Sequence, residues 1–185
     1  MSDISIPRPI SIVLAILLID STNYFIHRVN HKLPYLWKLH RLHHSDQKLD
    51  AFTTVLHHPF EIIVNSILII ALYVVFDIPV IVITWFSYFT AFHSVWTHTE
   101  LLVPDKINRY LRFFFITPNM HRIHHSQDMK EGNSNFGNIF PWWDILFKTY
   151  AHKDAENLNQ LEFGINVKES PRGNSLKDLL INPFI

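Results

Sequence analysis

The sequence predicts an all-α, polytopic membrane protein with about three transmembrane helices and a histidine-rich helical cap on the cytosolic side. Three observations carry this expectation. Apolar residues form one run near the N-terminus and a second between Phe60 and Trp96 in which only Glu61, Asp77 and His93 carry charge or an imidazole. Eight of the 13 histidines fall into three tight clusters. Basic residues flank the apolar runs almost entirely on one side, Arg8 being the exception.

The first run, Ile10 to Ile19 continuing through Tyr24-Phe25-Ile26, reads as a span despite Asp20, Ser21, Thr22 and Asn23 in its last third. A signal peptide is the alternative. It is disfavoured because the run has no small-residue cleavage site and leads straight into His27. The second run is too long for one crossing of about 20 residues and suits two. Asp77-Ile78-Pro79 breaks it as a tight hairpin requires. Arg28, Lys32, Lys38, Arg41 and Lys48 lie between the first span and the hairpin, and Lys106, Arg109, Arg112, Arg122, Lys130 and Lys148 follow it. The hairpin tip has no basic residue and the N-terminus only Arg8, so the tip and N-terminus are expected outside and the rest in the cytosol. Beyond the hairpin, residues 104–115 read as an interfacial amphipathic helix. Thr117-Pro118 opens a further helix. Residues 126–138 read as a loop, and 139–150 as an aromatic anchor. Residues 1–150 are expected to form one membrane-embedded domain, and 151–185, with Pro171-Arg172-Gly173 and Asn182-Pro183, a polar C-terminal tail.

Composition narrows the chemistry. The formal net charge of zero gives no reason to expect a nucleic-acid partner. There is no cysteine, which excludes disulfides, thiolate zinc sites and iron–sulfur clusters. Any metal must be held by nitrogen and oxygen. The clusters are His27-Arg28-Val29-Asn30-His31, His40-Arg41-Leu42-His43-His44 and His121-Arg122-Ile123-His124-His125, one HxxxH and two HxxHH. Positions i, i+3 and i+4 share a helix face, so each cluster is expected to point its imidazoles one way. Eight converging neutral imidazoles suit a transition-metal site with two ions. The topology places all three clusters at one cytosolic membrane surface.

His93 and His98 stand about 140° apart around a helix, so both cannot face one centre. His98, nearer the cytosolic end, is taken as a ligand, and His93 as supporting or structural. His58 reads either as a ligand or as an interfacial imidazole bonded to a backbone carbonyl; His152 reads as solvated. Metal-bound imidazoles usually donate their other N–H to a carboxylate or carbonyl. Asp20 is a costly carboxylate within a span unless partnered. Asp46, Glu100, Asp128 and Asp144 are further candidates for that supporting role.

The order HRVNH, HRLHH, HTE and TPNMHRIHH, followed by NSNFGNIFPWWDILFKTY, resembles the fatty acid hydroxylase/sterol desaturase superfamily from about Asp20 to Tyr150. His58-Pro59-Phe60-Glu61 matches an HPxE element, and Asn135-Phe136-Gly137 with Trp143-Asp144 matches an NxG…WD segment. His98, with Pro104 six residues on and His121 after 23, matches the spacing. FKTY stands where FGTY or FGTF is usual, and HTE resembles the alkylglycerol monooxygenase branch. The resemblance implies a membrane enzyme with a histidine-held diiron centre. Its ligands would be His27, His31, His40, His43, His44, His98, His121, His124 and His125, with His58, His93, Asp20, Asn135 and Asp144 as additional or supporting residues. It further implies O₂ as co-substrate, two non-haem irons and a lipid substrate, fatty acyl or sterol-like, that is hydroxylated or desaturated. The chain carries no flavin, NAD or iron–sulfur motif, so electrons must come from an external donor of the cytochrome b5, ferredoxin or reductase type. The expected location is a bacterial inner membrane or the endoplasmic reticulum, multi-pass, with the active site on the cytosolic side. Zinc is the expected adventitious occupant, because imidazole sites prefer it to ferrous iron.

Two other readings remain. One is ether-lipid (alkylglycerol-type) monooxygenation. The other is a non-catalytic membrane zinc-binding or transport protein, which would place its polar ligands near the bilayer midplane rather than at the surface.

Overall fold

The computed structural model describes residues 7–165, 176–181 and 184. Among them the regular structure is helical; the sole β-type pairing is an isolated bridge between Ser126 and Phe163. The long helix α1 (Arg8–Lys32) passes through its polar third without breaking. Ser21 and Thr22 donate their hydroxyls back to the Leu18 carbonyl at 2.9 and 2.8 Å, and Asp20 is fully buried. It stops at Leu33, which is extended because Pro34 follows. A short helix α2 (Pro34–His40) then folds back along it.

Helices α3 (Pro59–Val75) and α4 (Val80–Thr97) form the hairpin. The His58 imidazole caps α3 by accepting the Phe60 N–H at 3.1 Å. The tip turns through Asp77 in the left-handed region (φ 47°), and Pro79 opens α4. Among the described residues two helices, not three, reach 18 residues with enough apolar character to cross a membrane: α1, with 25, and α4, with 18. The expected third span, α3, is apolar but has 17 residues. Pro59 can only begin it, and the tip needs Phe76 and Asp77, so the stretch between Phe60 and Trp96 loses length at both its start and its turn.

Only 22% of the most apolar window of α1 and of α4 is buried. Ile63, Ile67, Ile70 and Val74 of α3 and Trp85, Phe92 and Val95 of α4 point outward. The buried apolar cluster lies towards the hairpin tip, where Ile19 meets Ile78, Val82, Phe86 and Ile139.

The remaining chain caps the other end of the three helices. Helix α5 (Asp105–Leu111) is shorter than the 104–115 stretch expected, and leaves Ile107, Tyr110, Phe113 and Phe114 exposed. Helix α6 (Pro118–His124) starts at Thr117, whose hydroxyl accepts the Met120 N–H. A single turn α7 (Met129–Gly132) interrupts the stretch read as loop, and α8 (Trp142–Leu146) carries the aromatic segment. Helix α9 (Ala155–Leu158) buries Leu158 completely, and α10 (Leu176–Ile181) presents the Leu180 carbonyl to His58 at 3.1 Å. Contacts therefore cross the 150/151 boundary. Pro171-Arg172-Gly173 and Asn182-Pro183 lie outside the described residues.

Candidate metal centre

Nine histidines converge where α1, α4 and α6 meet the turn after α2, and they separate into two groups. His27, His31, His40, His44 and His124 form one; His43, His98, His121 and His125 form the other, with ligand atoms in each group within 4.8 Å of one another. The groups abut, since the His44 and His125 rings stack 4.3 Å apart. These are the nine positions the sequence singled out as ligands.

The boxes do not point one way, as helix spacing suggested. Helix α2 ends at His40, and His43–Ser45 is a 3-10 turn; α6 ends at His124. His40 and His44 therefore face the first group and His43 the second, whereas His121 and His125 face the second and His124 the first.

Hydrogen bonding fixes the tautomers. His27 Nδ1–H donates to the Phe136 carbonyl (3.0 Å), His43 to Thr53 (3.0 Å), His98 to Ser94 (2.7 Å) and His124 to Ser134 (2.8 Å). His40 Nδ1–H donates to the Glu61 carboxylate at 2.7 Å. Each of these rings then holds a bare lone pair on Nε2. In the five-histidine group, Nε2 of His27, His31, His40, His44 and His124 is buried without a protein partner. In the four-histidine group the Nε2 atoms of His43 and His98 are 3.2 Å apart, His98 and His121 2.9 Å, and His121 and His125 3.1 Å. His43 and His98 have both committed their ring protons elsewhere, so their close nitrogens are two lone pairs facing each other. Unsatisfied buried groups cost about 1–3 kcal/mol each. A cation among them removes that cost, and imidazole–metal bonds of about 2 Å put ligand nitrogens roughly 3 Å apart. The donor set fits two metal ions.

Burial keeps the rings neutral. His43, His44, His121 and His125 are held well below the usual imidazole range, by burial first and neighbouring imidazoles second. Burial likewise lowers His124 to about 3 and His98 to about 4. A site that refuses protons at neutral pH is ready for metal.

The other expected residues fall elsewhere. Asp20 touches none of the nine: it accepts Trp143 Nε1–H (2.8 Å) and the Ile139 and Phe140 N–H groups, tying α1 to the aromatic segment. His93 packs between Trp96, Phe89 and Phe115. His58 is the cap of α3 already described. Asn135 and Asp144 act through the loop that carries two of the carbonyls. Asn135, left-handed (φ 51°) and fully buried, donates to the Met120 and Ala151 carbonyls and accepts the Ala151 N–H. Asp144, raised to about 6 by burial, accepts the Phe136 and Gly137 N–H groups and the Thr149 hydroxyl. Gly137 is required there, because a Cβ would lie 2.8 Å from Asp144 Oδ2 and from the Phe140 carbonyl. His27 and His124 thus lean on carbonyls either side of Asn135.

Sequence reasoning missed Glu61 and His57 as supporting residues. Glu61 Oε1 binds both His40 and His57 (3.1 Å), and His57 stacks on His43 at 4.3 Å. The signal was present: a carboxylate at the start of an apolar run, four residues after a histidine.

A cavity of about 370 Å³ opens beside the histidines between α1, α3 and α4, and His27, His40, His43, His98 and His121 form one of its walls.

An all-helical scaffold with two adjoining, proton-poor imidazole clusters defines a histidine-box protein able to hold metal ions. The sequence profile of the fatty acid hydroxylase family matches residues 12–149, and the chain belongs to that family. It is similar to ornithine lipid hydroxylase OlsE of Rhizobium tropici, 33% identical over 145 residues, covering 78% of this chain and 43% of the relative. It is also similar to alkylglycerol monooxygenase of Danio rerio, 30% identical over 138 residues, covering 75% of this chain and 30% of the relative. The fatty acid hydroxylase vlmA of a Lecanicillium species is 25% identical over 163 residues, covering 82% and 44%. The chain spans less than half the length of these curated relatives. No solved structure matches it.

Proposed function

We propose that the chain is a membrane-bound, O₂-dependent diiron oxygenase that hydroxylates or desaturates a fatty acyl or sterol-like lipid. One observation carries this reading: two adjoining all-imidazole clusters whose free nitrogens share a wall with a cavity between apolar helices. The nine histidines would hold the two irons, five at one and four at the other. Iron bound there supplies activation of O₂ and removal of hydrogen from an unactivated C–H bond, leading to an alcohol or an alkene. The chain's own part is positioning. Glu61 and the carbonyls of Thr53, Ser94, Ser134 and Phe136 fix ring orientation, and burial excludes protons and water. The cavity aims the substrate.

Helix α3, at about 1.5 Å per residue, is about 26 Å long and can cross a thin or locally adapted bilayer, so α1, α3 and α4 together are read as three spans. Their histidine-bearing ends face the cytosol, in an inner or endoplasmic-reticulum membrane. Residues 1–150 form the catalytic domain, and residues 151–185 a C-terminal segment. Electrons come from an external donor of cytochrome b5, ferredoxin or reductase type. The alkylglycerol monooxygenase relatives favour a second reading, ether-lipid cleavage through hydroxylation.

The test is expression in iron-replete cells, with metal analysis of the purified protein and mass spectrometry of total lipids. About two irons per chain and an O₂-dependent lipid gaining one oxygen or losing two hydrogens is the expected result. A lipid aldehyde with free glycerol selects the ether reading. Tightly bound zinc with no oxygen consumption and no lipid change would overturn both in favour of a zinc-binding role.

A further inference from the structure

The mainly apolar cavity wall is interrupted by hydrogen-bonding side chains that a slot for an alkyl chain does not need. Three helices each send a stripe of hydrogen-bonding side chains towards it: Asn23, His27 and Asn30 on α1, Glu61 and Asn65 on α3, and Thr90, Ser94 and Thr97 on α4. On α4 the stripe continues back to Ser87, a 3-4-3 spacing that keeps four hydroxyls on one face. The purely aliphatic lining residues are Ile26, Ile62 and Ile69.

Part of this stripe is engaged within the protein, His27 and Glu61 through the bonds already described and Thr97 by donating its hydroxyl to the Ser94 carbonyl at 3.0 Å, and part of it is not. Thr90 Oγ1 is buried with no partner, and the Asn30–Asn65 amide contact is long at 3.4 Å. Polar side chains between apolar helices normally find partners in each other or in a ligand. A second cavity, about 300 Å³, shares Asn23, Thr90 and Ser94 with the first and runs past Phe86, Ser87 and Tyr73 towards the hairpin tip. From that tip to the histidines the path is apolar, then hydrogen-bonding, then imidazole.

Resting on the oxygenase reading, we propose that the site takes a lipid whose reacting carbon lies within a few bonds of a hydrogen-bonding linkage (ester, amide, ether or hydroxyl). The linkage sits among Asn23, Asn65 and Thr90, and the alkyl chain extends towards Phe86 and Tyr73. The middle of a bare alkyl chain is a poor occupant, because it would leave Thr90 without a partner and Asn65 with only its long contact to Asn30.

The experiment measures binding to the metal-loaded protein in one detergent by thermal shift and competition. The probes are 1-O-hexadecylglycerol, 1-palmitoylglycerol, N-palmitoylglycine and hexadecane. Polar-linked probes are expected to bind at least about tenfold tighter than hexadecane, the worth of one net hydrogen bond. The preferred probe identifies the linkage. Thr90→Val and Asn65→Leu should erase the preference with metal content unchanged, and Thr90→Ser should keep it. Equal binding of hexadecane, or a preference untouched in both variants, overturns the proposal. Discriminating binding without lipid turnover sinks the oxygenase reading and leaves only the binding of a polar linkage among Asn23, Asn65 and Thr90 standing. Turnover with oxygen placed mid-chain does the reverse.

Discussion

The two HxxHH boxes have the same spacing and serve opposite clusters. His40 and His44, four apart, enter the five-histidine group while His43 between them enters the four-histidine group. In the second box His121 and His125 enter the four-histidine group and His124 crosses to the five. Each box thus gives its outer pair to one site and its inner ring to the other. Rings i and i+4 lie about 40° apart on a helix, and i+3 falls about 100° from i+4, so the helix repeat already separates pair from single. The helix ends at His40 and His124 widen that split. The imbalance of five against four comes from the flanking contributions: α1 supplies the pair His27 and His31, whereas the end of α4 supplies His98 alone.

This exchange makes the sites inseparable at the boxes and separable at the flanks. The double variant His124→Ala, His125→Ala takes one ring from each group. It should lower metal affinity at both by at least about 100-fold, since even supporting residues cost 10–100-fold. Metal analysis and lipid turnover measure it. Single variants at the flanks test the asymmetry. His98→Ala leaves three imidazoles in its group and should bring metal content from about two per chain towards one; His31→Ala leaves four and should lose less. Equal loss in the two would break the assignment of five and four.

A smaller effect separates the sites by their supports. Glu61 is the carboxylate that orients His40, whereas His43 and His98 lean on backbone carbonyls. Glu61→Gln should weaken metal binding at the five-histidine site by about 10–100-fold and leave the four-histidine site near wild type. Competition with a graded series of chelators resolves two affinities, and a parallel fall in both would show that the boxes couple the ions.

The sequence made eight of the rings legible because their spacing survives irregular backbone, a 3-10 turn and two helix ends still keeping them adjacent, and His98 by its place at the end of a span. Treating i, i+3 and i+4 as one face hid their division. Which way His43 and His44 face depends on where α2 stops, and that is set by the chain packing against α1 and α3. Asp20 was legible as a partnered buried carboxylate, but its partners lie about 120 residues away, at Ile139, Phe140 and Trp143. Glu61 carried the same signal and was passed over, since a single acid at the start of an apolar run reads as a helix N-terminus. Helix α3 falls one residue short of the 18 that α4 reaches, because turn geometry at Asp77 is local detail that an apolar run does not record.

Acid tests whether the two clusters stand or fall together. His44 and His124 of one and His43, His98, His121 and His125 of the other all have folded-state values below the free imidazole's 6.5, mainly through burial. Below pH 6.5 the unfolded chain takes up protons that the folded chain refuses, so stability is full above 6.5 and drains as pH falls towards 3–4. For the chelator-treated protein, thermal unfolding should show a level Tm above pH 7. The unfolding free energy should then fall by up to about 1.4 kcal/mol per imidazole for each unit below 6.5, and Tm with it. Both metals should be released in that same window; release of one at neutral pH would show that burial does not protect the clusters alike.

The smallest effect sharpens the comparison from the side of the loop. Lys148 follows α8 in the left-handed region (φ 57°), a conformation that favours glycine. It closes the turn that delivers Asp144, which in turn holds Phe136 and so the carbonyl that orients His27 in the five-histidine group. A lysine there bears a Cβ against the backbone for no contact that a glycine would forfeit at the site. Lys148→Gly should therefore stabilise the fold by about 1 kcal/mol, or about 2–4 °C in Tm. The gain should be visible without metal, and the affinities of both sites should be unchanged, because Asp144 and its acceptors stay in place. A variant that instead loses metal from the five-histidine site would mean that the lysine itself positions the loop and that the left-handed turn is not a cost the chain merely tolerates.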